Sequence, residues 1–200
     1  MKNIILAAAV GMLAAAQVAA QESPWLVRAR AVNLQMANDT TSTIQTLNVN
    51  VDNKTIPEVD ISYFFNKNLA AELILTVPQS QTVYAGTDTL GTFKHLPPTL
   101  TLQYHFTDLV GYKPYVGAGL NYTKISSVDL KNGATPLQLD NHSFGLAIQA
   151  GVDIPLDKNW SLNLDVKKVN LKTDVYAAGA SLGTLKLNPT LVGLGVGYRF

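Results

Sequence analysis

The sequence predicts an all-β protein, an eight-stranded antiparallel transmembrane β-barrel with short periplasmic turns and four longer extracellular loops. Three observations carry this. Apolar and polar residues alternate with a period of two in eight separate stretches. The connections between those stretches alternate short and long. The chain stops on Val192-Gly193-Leu194-Gly195-Val196-Gly197-Tyr198-Arg199-Phe200, a strand with one greasy face and an aromatic end. A soluble protein has little use for such an ending, which would fray in water. A closing barrel strand places it at the membrane interface.

The ends and the composition agree. Residues 1–20 read as an export signal to be removed: Lys2 is positive, Ile4 to Ala16 is apolar, and Val18-Ala19-Ala20 offers a small-residue cleavage site. The apolar stretch is too short to span a bilayer as a helix, which leaves 21–200 as a single outer-membrane barrel domain. Setting Lys2 aside leaves 14 basic against 14 acidic side chains, and a neutral chain is a poor partner for nucleic acid. Cysteine is absent, so an exported fold needs another constraint, and a closed strand network supplies one. After the signal no uncharged apolar run approaches a spanning helix, and only helices and closed barrels satisfy every backbone group in lipid.

The strands follow in order. The first, about Pro24 to Leu34, sets Trp25, Val27, Ala29 and Ala31 against Arg28 and Arg30. The second, about Thr55 to Phe65, sets Val59, Ile61, Tyr63 and Phe65 against Glu58, Asp60 and Ser62. The third, Asn68 to Val77, sets Leu69, Ala71, Leu73, Leu75 and Val77 against Glu72 and Thr76. The fourth, Pro98 to Phe106, puts Leu100, Leu102, Tyr104 and Phe106 opposite Thr101, Gln103 and His105. The fifth, Tyr112 to Ile125, has Val116, Ala118, Leu120 and Tyr122 opposite Gly117, Gly119, Asn121 and Thr123. The sixth, His142 to Ile154, has Phe144, Leu146, Ile148, Ala150, Val152 and Ile154 opposite Ser143, Gly145, Gln149 and Asp153. The seventh, Asn159 to about Leu171, has Trp160, Leu162, Leu164 and Val166 opposite Asn163, Asp165 and Lys167. The eighth is the closing strand, whose polar face is reduced to glycines and Arg199.

Short turns fall at 65–68, 107–111 and 155–158, and long loops at 35–54, 78–97, 126–141 and 172–186. Three short and four long connections suit eight antiparallel strands with both termini on the periplasmic side. Aromatics test the assignment independently. Trp25, Tyr63, Phe65, Tyr104, Phe106, Tyr112, Trp160, Tyr198 and Phe200 all fall at strand ends on the short-turn side, an interfacial girdle that anchors the barrel. Tyr122 and Phe144 make a thinner girdle towards the loops.

Eight strands leave an interior that side chains just fill. The inward set pairs Arg28, Arg30, Lys167 and Arg199 with Glu58, Asp60, Glu72, Asp153 and Asp165, and buried charges must pair or be solvated. Size favours a salt-bridged plug over a polar conduit. The long loops are unusually apolar, with Leu47, Val49, Phe93, Leu96, Leu137 and Tyr176 among their residues. Two readings of these stay open: strand extension with ordinary packing among loops, and an apolar pocket at the outer mouth.

Chemistry-bearing motifs are sparse. His95, His105 and His142 are scattered and show no metal-ligand spacing, so no metal or cofactor is expected. His142-Ser143 raises a hydrolase, but neighbours on a strand point to opposite faces, and no enzyme activity is expected. Gly117 and Gly119 lack the third glycine and helix of a phosphate motif. The Pro97-Pro98 pair cannot donate to a ladder and marks a stiff junction between loop and strand.

Four segments together are similar to the outer membrane protein W (OmpW) family: His95-Leu96-Pro97-Pro98-Thr99-Leu100, Lys113-Pro114-Tyr115-Val116-Gly117-Ala118-Gly119-Leu120-Asn121-Tyr122-Thr123, Gly151-Val152-Asp153 and the Gly197-to-Phe200 ending. The resemblance runs over essentially all of the mature chain, and the Trp25-to-Arg30 opening fits it. It implies a Gram-negative outer-membrane barrel, porin-like in admitting small hydrophobic molecules through an apolar outer pocket and releasing them sideways into the membrane. The pocket residues named above follow from apolarity and place. The first loop departs in being rich in Thr and Asn, and the third in being short. Weak points for a lateral exit are Pro97, Pro98, Gly133 and Pro189. The expected partners are the lipid bilayer, lipopolysaccharide, a small hydrophobic solute, and the barrel-assembly machinery through the last strand. The competing reading is a structural or receptor barrel, an adhesin or docking surface, whose loops pack into a closed dome without transport.

Overall fold

The outward apolar and inward polar alternation closes, in the computed structural model, into a ring. The structure describes residues 23–41, 44–45 and 48–200, so the expected export signal and Leu47 lie outside the described residues. The strands are β1 (Trp25–Gln35), β2 (Asp39–Thr40), β3 (Val49–Val51), β4 (Lys54–Phe64), β5 (Leu69–Thr76), β6 (Gln79–Ala85), β7 (Asp88–Leu96) and β8 (Thr99–His105). They continue as β9 (Lys113–Asn132), β10 (Thr135–Leu139), β11 (His142–Pro155), β12 (Trp160–Val169), β13 (Lys172–Ala177), β14 (Ala180–Lys186) and β15 (Thr190–Arg199).

Eight of these make the spanning wall, in the order β1, β4, β5, β8, β9, β11, β12, β15, and each pairs antiparallel with the next. The last strand closes on the first from Leu26–Arg199 to Gln35–Thr190. Among the described residues every spanning strand therefore has a paired neighbour on both sides, as lipid requires. The outer face is apolar: Leu100, Leu102, Leu146, Ile148 and Leu194 are each more than half exposed. The periplasmic aromatics meet edge to face in pairs, Trp25 with Tyr63 at 4.9 Å, Tyr104 with Phe106 at 5.1 Å, and Trp160 with Tyr198 at 4.9 Å. Phe200 extends the last pair, 5.1 Å from Tyr198.

Closure also depends on glycines. At Gly195 a Cβ would lie 2.1 Å from the Ala29 carbonyl oxygen, and at Gly151 one would lie 2.4 Å from the Tyr115 ring. The first glycine lets β15 lie against β1 while the Arg30 stem passes. The second makes room for an inward phenol.

The long loops are largely strand. β9 runs 20 residues, well past the expected end near Ile125. β6 and β7 form a hairpin, and β7, β9, β10, β13 and β14 continue the wall upwards. The first loop finishes this upper collar: β3 pairs with β6, β2 pairs with β14, and Asn38 bridges the remaining gap. Its amide oxygen accepts the Val51 N–H at 2.9 Å and its amide nitrogen donates to the Val51 carbonyl at 3.1 Å. Asn38 holds φ at 57°, a conformation Asn tolerates better than most residues.

Candidate transport path: a charged plug below an apolar chamber

The lower lumen is filled by charge. Register places Arg28 opposite Asp60 and Arg30 opposite Glu58, and the barrel's small diameter brings in groups from the far wall. Arg28 grips Asp153 with two hydrogen bonds, Nε to Oδ1 at 3.1 Å and Nη2 to Oδ2 at 2.6 Å. Its Nη1 donates to Glu72 at 2.6 Å and Ser62 at 3.0 Å. Arg30 donates to Asn163 at 2.7 Å, Glu58 at 3.1 Å and the Tyr115 hydroxyl at 3.2 Å. Lys167 holds both Glu58 oxygens at 3.0 Å. Gln103 and Gln149 donate to the other Glu72 oxygen, and the Tyr115 hydroxyl donates to Asp165 at 2.7 Å. Asp60 Oδ2 lies 3.0 Å from Arg30 Nη1, but out of hydrogen-bond alignment.

Arg28, Arg30 and Lys167 thus face Glu58, Asp60, Glu72, Asp153 and Asp165, all of them buried. The network crosses the lower lumen from wall to wall. Arg199, expected in the plug, sits below it. It lies at the periplasmic mouth over the Phe64 ring at 4.1 Å, and its Nε donates to the Ser23 carbonyl at 3.0 Å. The reason is height: Arg199 is the last strand residue and pairs with Leu26, below the level of Arg28. Tyr115, Gln103, Gln149 and Asn163 belong to the plug instead. The parity that turns Gly117 inward also turns Tyr115 inward.

Above the plug the lumen turns apolar. Val49, Phe93 and Leu137 join Leu34, Ile125 and Leu187 in one continuous buried cluster. Leu96 and Tyr176, expected in the pocket, lie outside it. Leu96 shares the outward parity of exposed Lys94, and Tyr176 sits beside Asp140, whose charge pushes the phenol pKa up. The cluster is packed, and at its floor lies a cavity of about 20 Å³, enough for a single water. Leu34, Ile56, Ile74, Val169, Leu171 and Leu191 line its apolar part.

Thr76 and Pro97 also line that cavity, and behind them the wall is interrupted. Pairing of β5 with β8 ends at Ile74–Thr99, and pairing of β6 with β7 begins at Gln79–His95. Between them, among the described residues, no backbone hydrogen bond joins Val77-Pro78 to Pro97-Pro98. Three of these four residues have no N–H to donate. On the other side Pro97 and Pro98 are tied to β9, where Tyr122 N–H donates to the Pro98 carbonyl at 3.0 Å and the Asn121 amide to that of Pro97 at 3.2 Å. Pro189 marks no comparable break. Its carbonyl accepts the Val169 N–H at 3.1 Å, and Leu187 N–H reaches Leu171 at 2.8 Å. Gly133 lies in the exposed β9–β10 turn with φ at 60°, away from the spanning ring. Pro78 completes the seam, and its missing N–H is legible in the sequence once its neighbour is known.

His142 and Ser143 point to opposite sides as strand parity requires, the first exposed and the second buried with its hydroxyl accepting the Lys172 N–H at 3.3 Å.

Comparison with known proteins agrees with this architecture. The chain is 44% identical over 191 residues to an uncharacterized outer-membrane protein, y4mB, of Sinorhizobium fredii, covering 92% of this chain and 82% of that one. It is 30% identical over 200 residues to the dibenzothiophene metabolism operon protein PahQ of Pseudomonas aeruginosa, covering 90% of each. The crystal structure of the outer membrane protein OprG from Pseudomonas aeruginosa superposes with a TM-score of 0.75 at 23% identity, covering 90% of this chain and 97% of that one. The sequence model of the OmpW family matches residues 21–200. An eight-stranded ring, a lipid-facing apolar belt and a match across the described barrel make one conclusion: the chain belongs to the OmpW family of Gram-negative outer-membrane barrels.

Proposed function

We propose that this barrel admits small apolar solutes passively, taking them into the chamber above the plug and releasing them sideways into the bilayer between Val77-Pro78 and Pro97-Pro98. The observation that carries the proposal is the coincidence of three things at one height. An apolar chamber ends on a charged floor, and the wall beside that floor lacks its ladder. A solute that cannot cross paired charges has its shortest path through the unladdered seam. The operon of the relative PahQ, named for dibenzothiophene metabolism, fits an apolar cargo.

The test is uptake of radiolabelled naphthalene by cells with and without the protein, with a hydrophilic sugar as control. Faster naphthalene uptake alone supports the proposal. Val49→Asp, which puts a charge into the chamber, should slow it in correctly folded protein. So should replacing Pro78, Pro97 and Pro98 by alanine, which restores donors to the seam. Uptake that is unchanged by both variants defeats the lateral route.

The tight packing of the cluster favours a second reading, a structural or docking barrel closed by a dome. No effect of the protein on naphthalene uptake would decide for it.

A further inference from the structure

The cavity at the floor of the chamber is lined by polar as well as apolar side chains, and a hydrogen-bond account of the polar ones singles out one residue. Thr76 Oγ1 donates to the Pro57 carbonyl at 2.6 Å. Thr99 donates to the Pro97 carbonyl at 3.2 Å and accepts from Asn121 at 2.8 Å, while the Asn121 oxygen accepts from Thr123 at 2.7 Å. Glu58 and Lys167 hold each other at 3.0 Å. His95 is the exception. It is 2% exposed, it lines the cavity, and among the described residues neither of its ring nitrogens has a hydrogen-bond partner. Its one ring neighbour is Phe93, with centroids 6.1 Å apart. A buried polar atom left unpaired is costly, so the position calls for a partner.

We infer that this cavity seats one hydroxyl group of an otherwise apolar, uncharged solute, with His95 as its hydrogen-bond partner; the inference rests on the uptake reading above and narrows its cargo to small apolar alcohols and phenols. Size, chemistry and charge each point to this group. The cavity of about 20 Å³ admits one water-sized group such as a hydroxyl, and the solute's carbon body has to part the apolar cluster above or the seam at Pro97 to follow it. A hydroxyl both donates and accepts, so it matches the imidazole in either neutral tautomer. A carboxylate would find the plug's nearest cations already taken, Lys167 by Glu58 and Arg30 by Glu58 and Asn163. It would also meet a plug in which carboxylates outnumber cations. A bare hydrocarbon would leave His95 unpaired. His95 opens the motif His95-to-Leu100, in which the prolines shape the seam and the histidine reads what reaches it.

The test uses 1-naphthol and naphthalene as a matched pair. The readout is the ratio of their protein-dependent uptake rates in cells with an intact outer membrane. A net hydrogen bond predicts a ratio about threefold to tenfold in favour of 1-naphthol. His95→Leu should bring the ratio close to one, and His95→Gln, which keeps a hydrogen-bonding group, should retain much of it. A native ratio near one, or a ratio unchanged in His95→Leu, overturns the inference. A second measurement does not depend on variants that fold: 1-naphthol, unlike naphthalene, should shift the His95 ring 15N resonances of the native protein in bilayers. No shift overturns the inference as well. If neither solute shows protein-dependent uptake, the transport reading falls and the 15N titration alone decides the seat.

Discussion

Replacing Arg28 by methionine gives the sharpest test of the plug. The substitution keeps much of the side-chain volume and removes the guanidinium. It takes away the paired bonds to Asp153 at 3.1 and 2.6 Å, the bond to Glu72 at 2.6 Å and the bond to Ser62 at 3.0 Å. Arg28, Glu72 and Asp153 are all buried, so two carboxylates are left without their nearest cation and without water to replace it. Breaking a buried pair from one side costs about 3–5 kcal/mol, and Arg28 has two such partners, so the upper end is expected. Glu72→Gln should cost clearly less, because five carboxylates already face three cations and removing one brings the charges nearer balance. Combining the two should be milder than the sum, the signature of direct coupling. Urea unfolding in lipid vesicles reads this through Trp25 and Trp160, which lie on the lipid-facing rim. A loss under about 1 kcal/mol for Arg28→Met, or additive losses in the double variant, would refute a plug held by these pairs.

Other perturbations probe other parts. Gly195→Ala places a methyl group 2.1 Å from the Ala29 carbonyl oxygen and should cost about 1–3 kcal/mol or block closure, whereas Gly193→Ala, whose methyl meets only side-chain atoms at 3.3 Å, should be milder; heat-modified migration of the folded barrel on gels compares them. Asn38→Ala removes both bonds to the Val51 backbone and should speed amide exchange at Val51 by about tenfold while leaving the spanning wall unchanged. In the periplasmic turn, the Asn159 and Trp160 N–H groups donate to Asp157 and lower its carboxyl pKa. The turn is therefore stabilised above the ordinary carboxylate range, and the stabilisation is lost as pH falls through the lowered value. Exchange at the Trp160 amide should rise on acidification in the native protein and lose that pH response in Asp157→Asn.

The spanning wall was legible because lipid enforces one rule at every strand: apolar residues out, polar residues in. Above the bilayer the period stays at two but the signs invert, since water now lies outside. Gln79, Gln81, Val83 and Phe93 turn inward while Ser80, Thr82 and Lys94 turn out. A search for apolar outward faces reads such segments as loops, and so β6, β7, β13 and β14 were missed. The same inversion explains Leu96, an apolar residue on the wet face. Which side chains point inward was legible from parity, Tyr115 included, but the height of Arg199 and the pairings were not. Lys167 and Glu58 meet across the lumen, 109 residues apart in sequence, and only the closed ring's diameter brings them together. The seam needed both of its sides to be seen, because Pro97-Pro98 is a gap only where Val77-Pro78 is the neighbour.

The two aromatic rims are unequal, and this gives the barrel a preferred way to adapt to its bilayer. Coupled ring pairs fix the periplasmic rim, whereas Tyr122 and Phe144 hold the outer one. When bilayer thickness changes, the firmly held rim keeps its depth and the mismatch is taken up at the opposite leaflet. Val77, 55% exposed, lies at that adjustable level. A thinner outer leaflet therefore uncovers the seam and a thicker one immerses it, so membrane composition sets how readily the wall meets hydrocarbon. The lipid becomes a dial on the protein, with the inner rim as its fixed pivot.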